Sequence, residues 1–232
     1  VTGAQVSESA AGSKEHSQLA ASLKVTETFV SIQGEGDAVG WPTFFIRLTG
    51  CPLRCAYCDT QYAFHGGQRQ SIGELLQRAR DSGVRHVCVT GGEPLAQRSC
   101  LDLLEVLADS GFHVSLETSG AMDVAGVDQR VVRVVDLKTP DSGEVTRNRL
   151  ENLASLTGTD QLKVVICSRA DYEWARKTVQ DRAGELRCPV LFSPSWGQQD
   201  PRELAEWVLE DRLNVRLQLQ MHKLLWGEEA GR

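Results

Sequence analysis

A chain of 232 residues, 41% hydrophobic and 24% charged, is long enough to bury a core without disulfide or metal staples, and a single domain is the default at this length. Its 31 acidic against 25 basic side chains give a formal charge of −6, which argues against broad binding of a nucleic-acid backbone. No apolar run approaches the roughly 18 residues that span a membrane.

Residues 1–24 are rich in Ala, Ser, Glu and Lys, a composition that predicts a disordered tail and lacks the apolar stretch of a signal peptide. The first methionine is Met122; the expectation is a literal translation of an alternative start codon, or a start nearer Val25. Residues 25–232 are predicted to form one core domain. Glu27–Gln33 reads as an extended segment pairing at an edge, and Thr43–Leu48 as the first buried strand. Ser71 with Glu74 forms a capping box that opens a helix stopped by Gly83. The strand His86–Thr90 follows, then a helix from near Leu95 closed by Gly111, and the strands His113–Glu117 and Val131–Asp136. Between these two, Thr118–Arg130 is too short and too broken by glycine for a full crossover helix. Strands Gln161–Ile166, Pro189–Ser193 and Val215–Gln220 complete the set. Asp200, Pro201 and Glu203 open a helix before the last of them.

Strands alternating with helices imply a parallel sheet with crossover connections. Without the tail 208 residues remain, fewer than the roughly 250 of a complete eightfold barrel. The predicted fold is an α/β partial barrel of the TIM type, with about six or seven mostly parallel strands and a reduced set of helices.

Three of the seven cysteines lie in Cys51-Pro-Leu-Arg-Cys55-Ala-Tyr-Cys58, a CxxxCxxC array directly after a strand. An odd cysteine count in a long chain speaks against a secreted disulfide framework and for metal binding in a reducing cytoplasm. Three thiolates at this spacing suit a 4Fe–4S cube and leave one iron without a protein ligand. A structural zinc site would need a fourth ligand, and His65, the nearest candidate, completes no standard zinc pattern. Cys88, Cys100, Cys167 and Cys188 are read as small hydrophobes outside the chemistry.

The cysteine loop resembles the signature of the radical S-adenosylmethionine (SAM) superfamily, and Thr90-Gly91-Gly92-Glu93-Pro94 after the next strand strengthens the resemblance. Ser31-Ile32-Gln33-Gly34-Glu35-Gly36, Phe45-Ile46-Arg47-Leu48-Thr49-Gly50, Cys58-Asp59-Thr60, Glu117-Thr118-Ser119-Gly120, Asp136-Leu137-Lys138 and Gln220-Met221-His222-Lys223 are similar to the 7-carboxy-7-deazaguanine synthases within it. That resemblance implies a carbon–nitrogen lyase of queuosine (7-deazapurine) biosynthesis. It would contract 6-carboxy-5,6,7,8-tetrahydropterin to 7-carboxy-7-deazaguanine with release of ammonia. The cofactors it implies are a 4Fe–4S cluster, SAM used catalytically, and Mg²⁺.

The resemblance assigns Cys51, Cys55 and Cys58 to the cluster. Tyr57, Cys58, Asp59, Gly92, Asp136, Leu137 and Lys138 fall to SAM, and the turn Ser193-Pro194-Ser195-Trp196 falls there too, although its residue types differ from common versions. It assigns Ile32, Gln33 and Gly34 to the pterin edge, Arg47 to the substrate carboxylate, Thr90 to substrate and Thr60 to Mg²⁺. The residue types agree. A guanidinium fork matches a carboxylate, an amide donates and accepts at once, and Mg²⁺ takes oxygen ligands and keeps several waters. The alternatives are an internal salt bridge for Arg47, a plain turn at Gln33-Gly34, a loop cap for Thr60 and a buried strand threonine for Thr90. Glu117 would meet the SAM ribose or a buried ion pair. Lys163 would point into the barrel or into solvent, and His222 with Lys223 would shape the substrate end. The implied partners are a small pterin, an electron donor such as flavodoxin or ferredoxin, and a second copy in a homodimer. No direct nucleic-acid or membrane contact is expected, and the expected location is cytoplasmic. An activase that makes a glycyl radical in a partner is the nearest rival, and a non-catalytic metal-binding or tRNA-interacting module the second.

Overall fold

The structure is a computed structural model describing residues 16–229 and 231. One sheet organises it. β1 (Ser22–Ile32) pairs antiparallel with β2 (Pro42–Leu48), and its first residues also pair with β3 (Gln68–Ser71). From β2 onward every neighbour is parallel: β4 (His86–Gly91), β5 (His113–Thr118), β6 (Val132–Asp136), β7 (Gln161–Ile166), β8 (Val190–Pro194) and the two-residue β9 (Arg216–Leu217). The order β3-β1-β2-β4-β5-β6-β7-β8-β9 is linear, so the barrel is partial and open, as its length predicts.

Four helices cover the outer face, α1 (Ile72–Asp81), α2 (Cys100–Asp109), α3 (Arg169–Asp181) and α4 (Pro201–Glu210), whereas α5 (Met221–Trp226) lies on the inner side, where His222 and Lys223 line the central cavity. The predicted capping box opens α1, with Ser71 and Glu74 bonded reciprocally. Asp200 caps α4 through the amides of Arg202 and Glu203, while the Glu203 carboxylate takes the Gln199 amide. No helix crosses from β5 to β6, and three short 3-10 turns replace one between β6 and β7.

Strand periodicity of two sorts side chains onto two faces. Phe44, Ile46 and Leu48 on β2, with Val87 and Val89 on β4, pack outward against α1 and α2. Leu162, Val164 and Ile166 on β7, with Phe192 on β8, pack against α3 and α4. Each fully buried aliphatic or aromatic side chain contributes about 1.5–3 kcal/mol, so these rows hold the sheet to its helices. The alternating inward row is polar near the carboxyl ends of the strands: Arg47, Thr90, Glu117, Asp136, Lys163 and Ser193. The parallel register sets Arg47 opposite Thr90 and Asp136 opposite Lys163. Beneath the cavity, Gln161 is buried with neither side-chain amide atom bonded among the described residues.

A bulge at Thr26 shifts the β1–β2 register, so that Val25 faces Leu48 and Glu27 faces Arg47. Bulges of this kind re-aim side chains, and here one brings a carboxylate opposite the guanidinium. β1 runs down to the amino ends of the parallel strands, where loop 33–41 leaves it. That loop crosses to the far edge of the sheet, where Asp37 pairs with Arg216 at 2.6 Å and the Gly34 carbonyl accepts the Met221 amide at 3.0 Å. It fills the seam between the two ends of the open barrel.

Four expectations change. Residues 1–15 of the predicted tail lie outside the described residues, but 16–20 are helical and 22–24 belong to β1, with Leu23 fully buried. Leu23 and Val25 alternate with polar neighbours, and β3 supplies their backbone partners. The helix expected from Leu95 begins at Cys100, because Glu93 caps a separate 3-10 turn over Pro94–Ala96. The last strand shrinks to Arg216–Leu217, and Gln220 already stands at the N-terminal boundary of α5. The edge segment starts at Ser22 instead of Glu27.

Candidate active site

A cavity of about 680 Å³ runs from the carboxyl ends of the strands toward loop 33–41. Every predicted site residue lines it except Leu137, whose side chain joins the outer core beside β7 while Asp136 and Lys138 face inward. The terminal residues Gly227, Glu228, Glu229 and Gly231 also reach its wall.

The upper wall is the cysteine loop. Cys51, Cys55 and Cys58 are half-buried, unpaired and turned to the cavity. Burial pushes all three thiols up, Cys55 to about 11, so holding them as thiolates requires a bound cation or cluster. The Arg54 guanidinium ties the loop to itself, donating to the Cys51 carbonyl at 2.8 Å and the Leu53 carbonyl at 2.6 Å. The Gly91-Gly92 turn interlocks with it. The Glu93 amide donates to the Gly50 carbonyl at 2.7 Å, and a Cβ on Gly92 would fall 2.1 Å from that same oxygen. Only glycine allows this approach.

Glu93 itself is fully buried. Its carboxylate accepts the Leu95 amide, the Thr118 hydroxyl, the Ser119 amide at 2.7 Å and the Ser119 hydroxyl. It therefore fastens the turn after β4 to the turn after β5, beneath the cavity wall. Asp59 plays a similar part at the rim, accepting from Thr60 at 2.8 Å and pairing with Lys223 of α5 at 2.8 Å.

In the deeper part, Arg47 Nε donates to Glu27 Oε1 at 2.7 Å, and the Tyr62 hydroxyl donates to the same oxygen. The guanidinium lies 5.7 Å from the Phe29 ring centroid and 5.9 Å from that of Tyr62. Its two terminal nitrogens carry no hydrogen bond among the described residues, so both the internal salt bridge and a free fork are present. Gln33 behaves differently from a freely offered amide. Its Oε1 accepts the Gly34 and Glu35 amides, and its Nε2 reaches Glu117 at 3.3 Å. Glu117 also accepts the Thr90 hydroxyl at 2.9 Å, so one carboxylate sets the orientation of two predicted substrate residues. A Cβ on Gly34 would sit 2.8 Å from the His222 backbone nitrogen, which fixes glycine there.

Between the two parts lies a line of charges. Lys138 Nζ is 2.6 Å from Asp136, and Lys163 Nζ is 3.5 Å from Asp136 and 2.6 Å from Glu35. Burial works to raise the Asp136 and Glu35 carboxyls, but the adjacent ammonium groups hold both below their ordinary values. Lys163 thus points into the barrel. Sequence reasoning had not singled out Glu27, Tyr62, Glu35, Glu93 or Gln220 as site residues. The alternation of Glu27 with Phe29 gave a signal for the first, and the Gln-Gly-Glu-Gly, Gly-Gly-Glu-Pro and Gln-Met-His-Lys runs for Glu35, Glu93 and Gln220; nothing local marked Tyr62.

These residues fit an iron–sulfur cluster with SAM. The donors are three sulfurs on one loop, the volume lies within the roughly 300–1,000 Å³ of ligand cavities, and the buried Tyr57 hydroxyl beside them has no partner among the described residues. Among those residues no three His, Cys, Asp or Glu side chains converge on a single-ion site. No helix among them is long and apolar enough to cross a membrane.

The Radical SAM superfamily matches residues 45–137, from β2 through the cysteine loop to the end of β6, and radical SAM is the class that the open parallel barrel and its loop cysteines define. The chain is 44% identical over 225 residues to the 7-carboxy-7-deazaguanine synthase of Koribacter versatilis, covering 90% of this chain and 99% of that one. It is 42% identical over 213 residues to the synthase of Chlorobaculum tepidum, covering 90% and 97%. The crystal structure of QueE from Escherichia coli superposes with a TM-score of 0.73 at 25% identity, over 87% of this chain and 95% of that one. The chain belongs to the 7-carboxy-7-deazaguanine synthase family.

Proposed function

We propose that this protein converts 6-carboxy-5,6,7,8-tetrahydropterin to 7-carboxy-7-deazaguanine and ammonia. The atoms balance without an external oxidant, because the product skeleton is the substrate less one NH₃. The observation that carries the reading is the single cavity in which the loop cysteines face the fork of Arg47, together with 44% identity across almost the whole length of a curated synthase.

Cys51, Cys55 and Cys58 would hold the 4Fe–4S cluster, and Tyr57, Asp59, Gly92, Asp136, Lys138 and the turn Ser193–Trp196 would hold SAM. Together these cofactors supply, when bound and reduced, a carbon radical that abstracts hydrogen from the substrate. The protein's work is placement and exclusion of side reactions. Arg47, steadied by Glu27 and Tyr62, offers its terminal nitrogens to the substrate carboxylate. Gln33, its amide set by Glu117, presents loop 33–36 to the pterin edge with Ile32 and Gly34. Thr90, on the same carboxylate, faces the ring. Thr60 would contribute one oxygen toward Mg²⁺. A flavodoxin- or ferredoxin-like donor would deliver the electron, and a homodimer in the cytoplasm is the expected form.

The test is an anaerobic incubation of iron- and sulfide-reconstituted protein with SAM, dithionite, Mg²⁺ and the carboxytetrahydropterin, read by mass spectrometry and an ammonia assay. The expected result is 7-carboxy-7-deazaguanine with one ammonia per product. Accumulation of 5′-deoxyadenosine over untouched pterin would assign the radical machinery to another substrate.

A further inference from the structure

Lys163 stands at the middle of β7 with its side chain only 12% exposed, and among the described residues it is the one cation that touches both parts of the cavity. Its ammonium is 2.6 Å from Glu35, on loop 33–41, and 3.5 Å from Asp136, at the end of β6. The second oxygen of Glu35 accepts Gln220 Nε2 at 2.7 Å. The second oxygen of Asp136 accepts Lys138 Nζ at 2.6 Å, and that ammonium lies 5.5 Å from the Tyr57 ring centroid. A continuous line of paired groups therefore runs from the cysteine loop through Lys138, Asp136, Lys163 and Glu35 to the segment before α5. Among the described residues Lys163 is its only joint between the two carboxylates.

We propose that Lys163 is a positioning residue that couples the two ligand sites, so that SAM and the pterin bind with positive cooperativity. The inference rests on the function proposed above. Lys163 holds a single positive charge shared unequally between two carboxylates, Glu35 at 10% and Asp136 at 19% side-chain exposure. SAM brings a sulfonium of its own into the part of the cavity that Asp136 lines. A cation there competes with Lys163 for Asp136 and leaves the Lys163 ammonium to Glu35. Glu35 follows Gln33 and Gly34 directly, and Gln33 Oε1 already accepts the Glu35 amide at 3.3 Å. A firmer Lys163–Glu35 pair thus fixes the loop that meets the pterin edge. Linkage requires the effect to be reciprocal, with pterin tightening SAM by the same factor.

The other tethers of the loop bypass Lys163. Asp37–Arg216 and Gly34–Met221 join it to the sheet edge and to α5, and Gln33–Glu117 joins it to β5; none of these bonds includes Asp136. Without Lys163, Asp136 keeps Lys138 and Glu35 keeps Gln220. Each half then retains its own partner while the connection between halves is lost.

The experiment uses cluster-reconstituted protein without reductant, so that no turnover occurs. Binding of 6-carboxytetrahydropterin is measured by anaerobic calorimetry with and without saturating SAM. In the natural sequence SAM is expected to tighten the pterin about tenfold, within the usual 5- to 150-fold span of such couplings. In Lys163→Met the ratio falls to within twofold of one, and Lys163→Arg restores part of it. The Lys163→Gln, Glu35→Gln pair keeps a neutral hydrogen bond without the charges and serves if the single variant does not fold; its ratio also falls to near one. A merely architectural role lowers melting temperature or both affinities together but leaves the ratio intact, and that result overturns the proposal. So does a natural-sequence ratio within twofold of one. Failure of the natural protein to bind the pterin at all, with SAM binding retained, defeats the substrate reading and this inference with it.

Discussion

Glu27 grips Arg47 through Nε alone, at 2.7 Å, and the grip exists because a bulge at Thr26 brings those two residues opposite one another across β1 and β2. The consequence is a guanidinium fixed at its inner nitrogen with its outer fork toward the cavity. Arg47→Ala is expected to raise the Michaelis constant for the pterin about 10- to 100-fold, the worth of a charge-assisted pair, with iron content unchanged. Glu27→Gln keeps a hydrogen bond but loses its charge, and the same constant should rise only several-fold. Steady-state kinetics alongside iron analysis checks both; an unchanged constant in Arg47→Ala removes it from substrate binding.

The cysteines divide by position. Cys51, Cys55 and Cys58 face the cavity, whereas Cys88 and Cys100 are fully buried. Replacing any one of the first three by Ala should lower reconstituted iron from about four per chain to near zero and abolish SAM cleavage. Cys100→Ala should leave the iron at its natural level. Iron and sulfide assays after anaerobic reconstitution decide the matter.

Glu93 predicts an effect on stability that needs no cofactor. Glu93→Gln turns an amide donor toward the hydroxyl and backbone donors of Thr118 and Ser119, leaving buried groups unsatisfied at about 1–3 kcal/mol each. The cluster-free protein should melt roughly 4–12 °C lower. A melting temperature within a degree of the natural one would mean that this junction is dispensable.

A pH dependence follows from the ion pair that joins the starts of β6 and β7. The buried Asp160 carboxylate accepts Arg133 Nη2 at 2.6 Å, Arg133 Nε at 3.0 Å and the Thr157 amide at 2.7 Å. Burial works to raise its carboxyl, yet these donors hold it below the usual carboxylate range. A depressed folded-state value contributes stability above the unfolded value of about 3.9, and that stability is lost as pH falls through the folded value. Asp160→Asn is therefore expected to cost about 3–5 kcal/mol near pH 7, a gap that narrows below pH 4. Denaturant titrations at pH 7 and pH 3 measure it, and an equal gap at both contradicts the assignment.

Much of this architecture was legible because the apolar alternation is strong. Phe44-Phe45-Ile46-Arg47-Leu48 announces both its outward core and its inward guanidinium, and β7 was bounded to the residue. β3 was not foreseen, since Gln68-Arg69-Gln70-Ser71 has no apolar side chain and is a strand only because β1 pairs with it. The helix after Pro94 began late because a buried glutamate, bonded to residues 25 and 26 positions away, capped a different turn. The cysteines and Arg47 could be named from local spacing and the resemblance it carries. The partners that hold Arg47, Gln33 and Lys163 could not, because Glu35 and Lys163 are 128 residues apart in the chain and adjacent only in the fold.

The most direct test of the central claim, ring contraction at this site with SAM as a true cofactor, is the amount of 7-carboxy-7-deazaguanine formed when SAM is supplied well below the pterin concentration. The reconstituted, reduced protein is expected to make several molecules of product for each SAM present. A yield that never exceeds the SAM supplied would contradict the catalytic use of SAM, and 5′-deoxyadenosine accumulating with no deazaguanine would contradict the reaction itself.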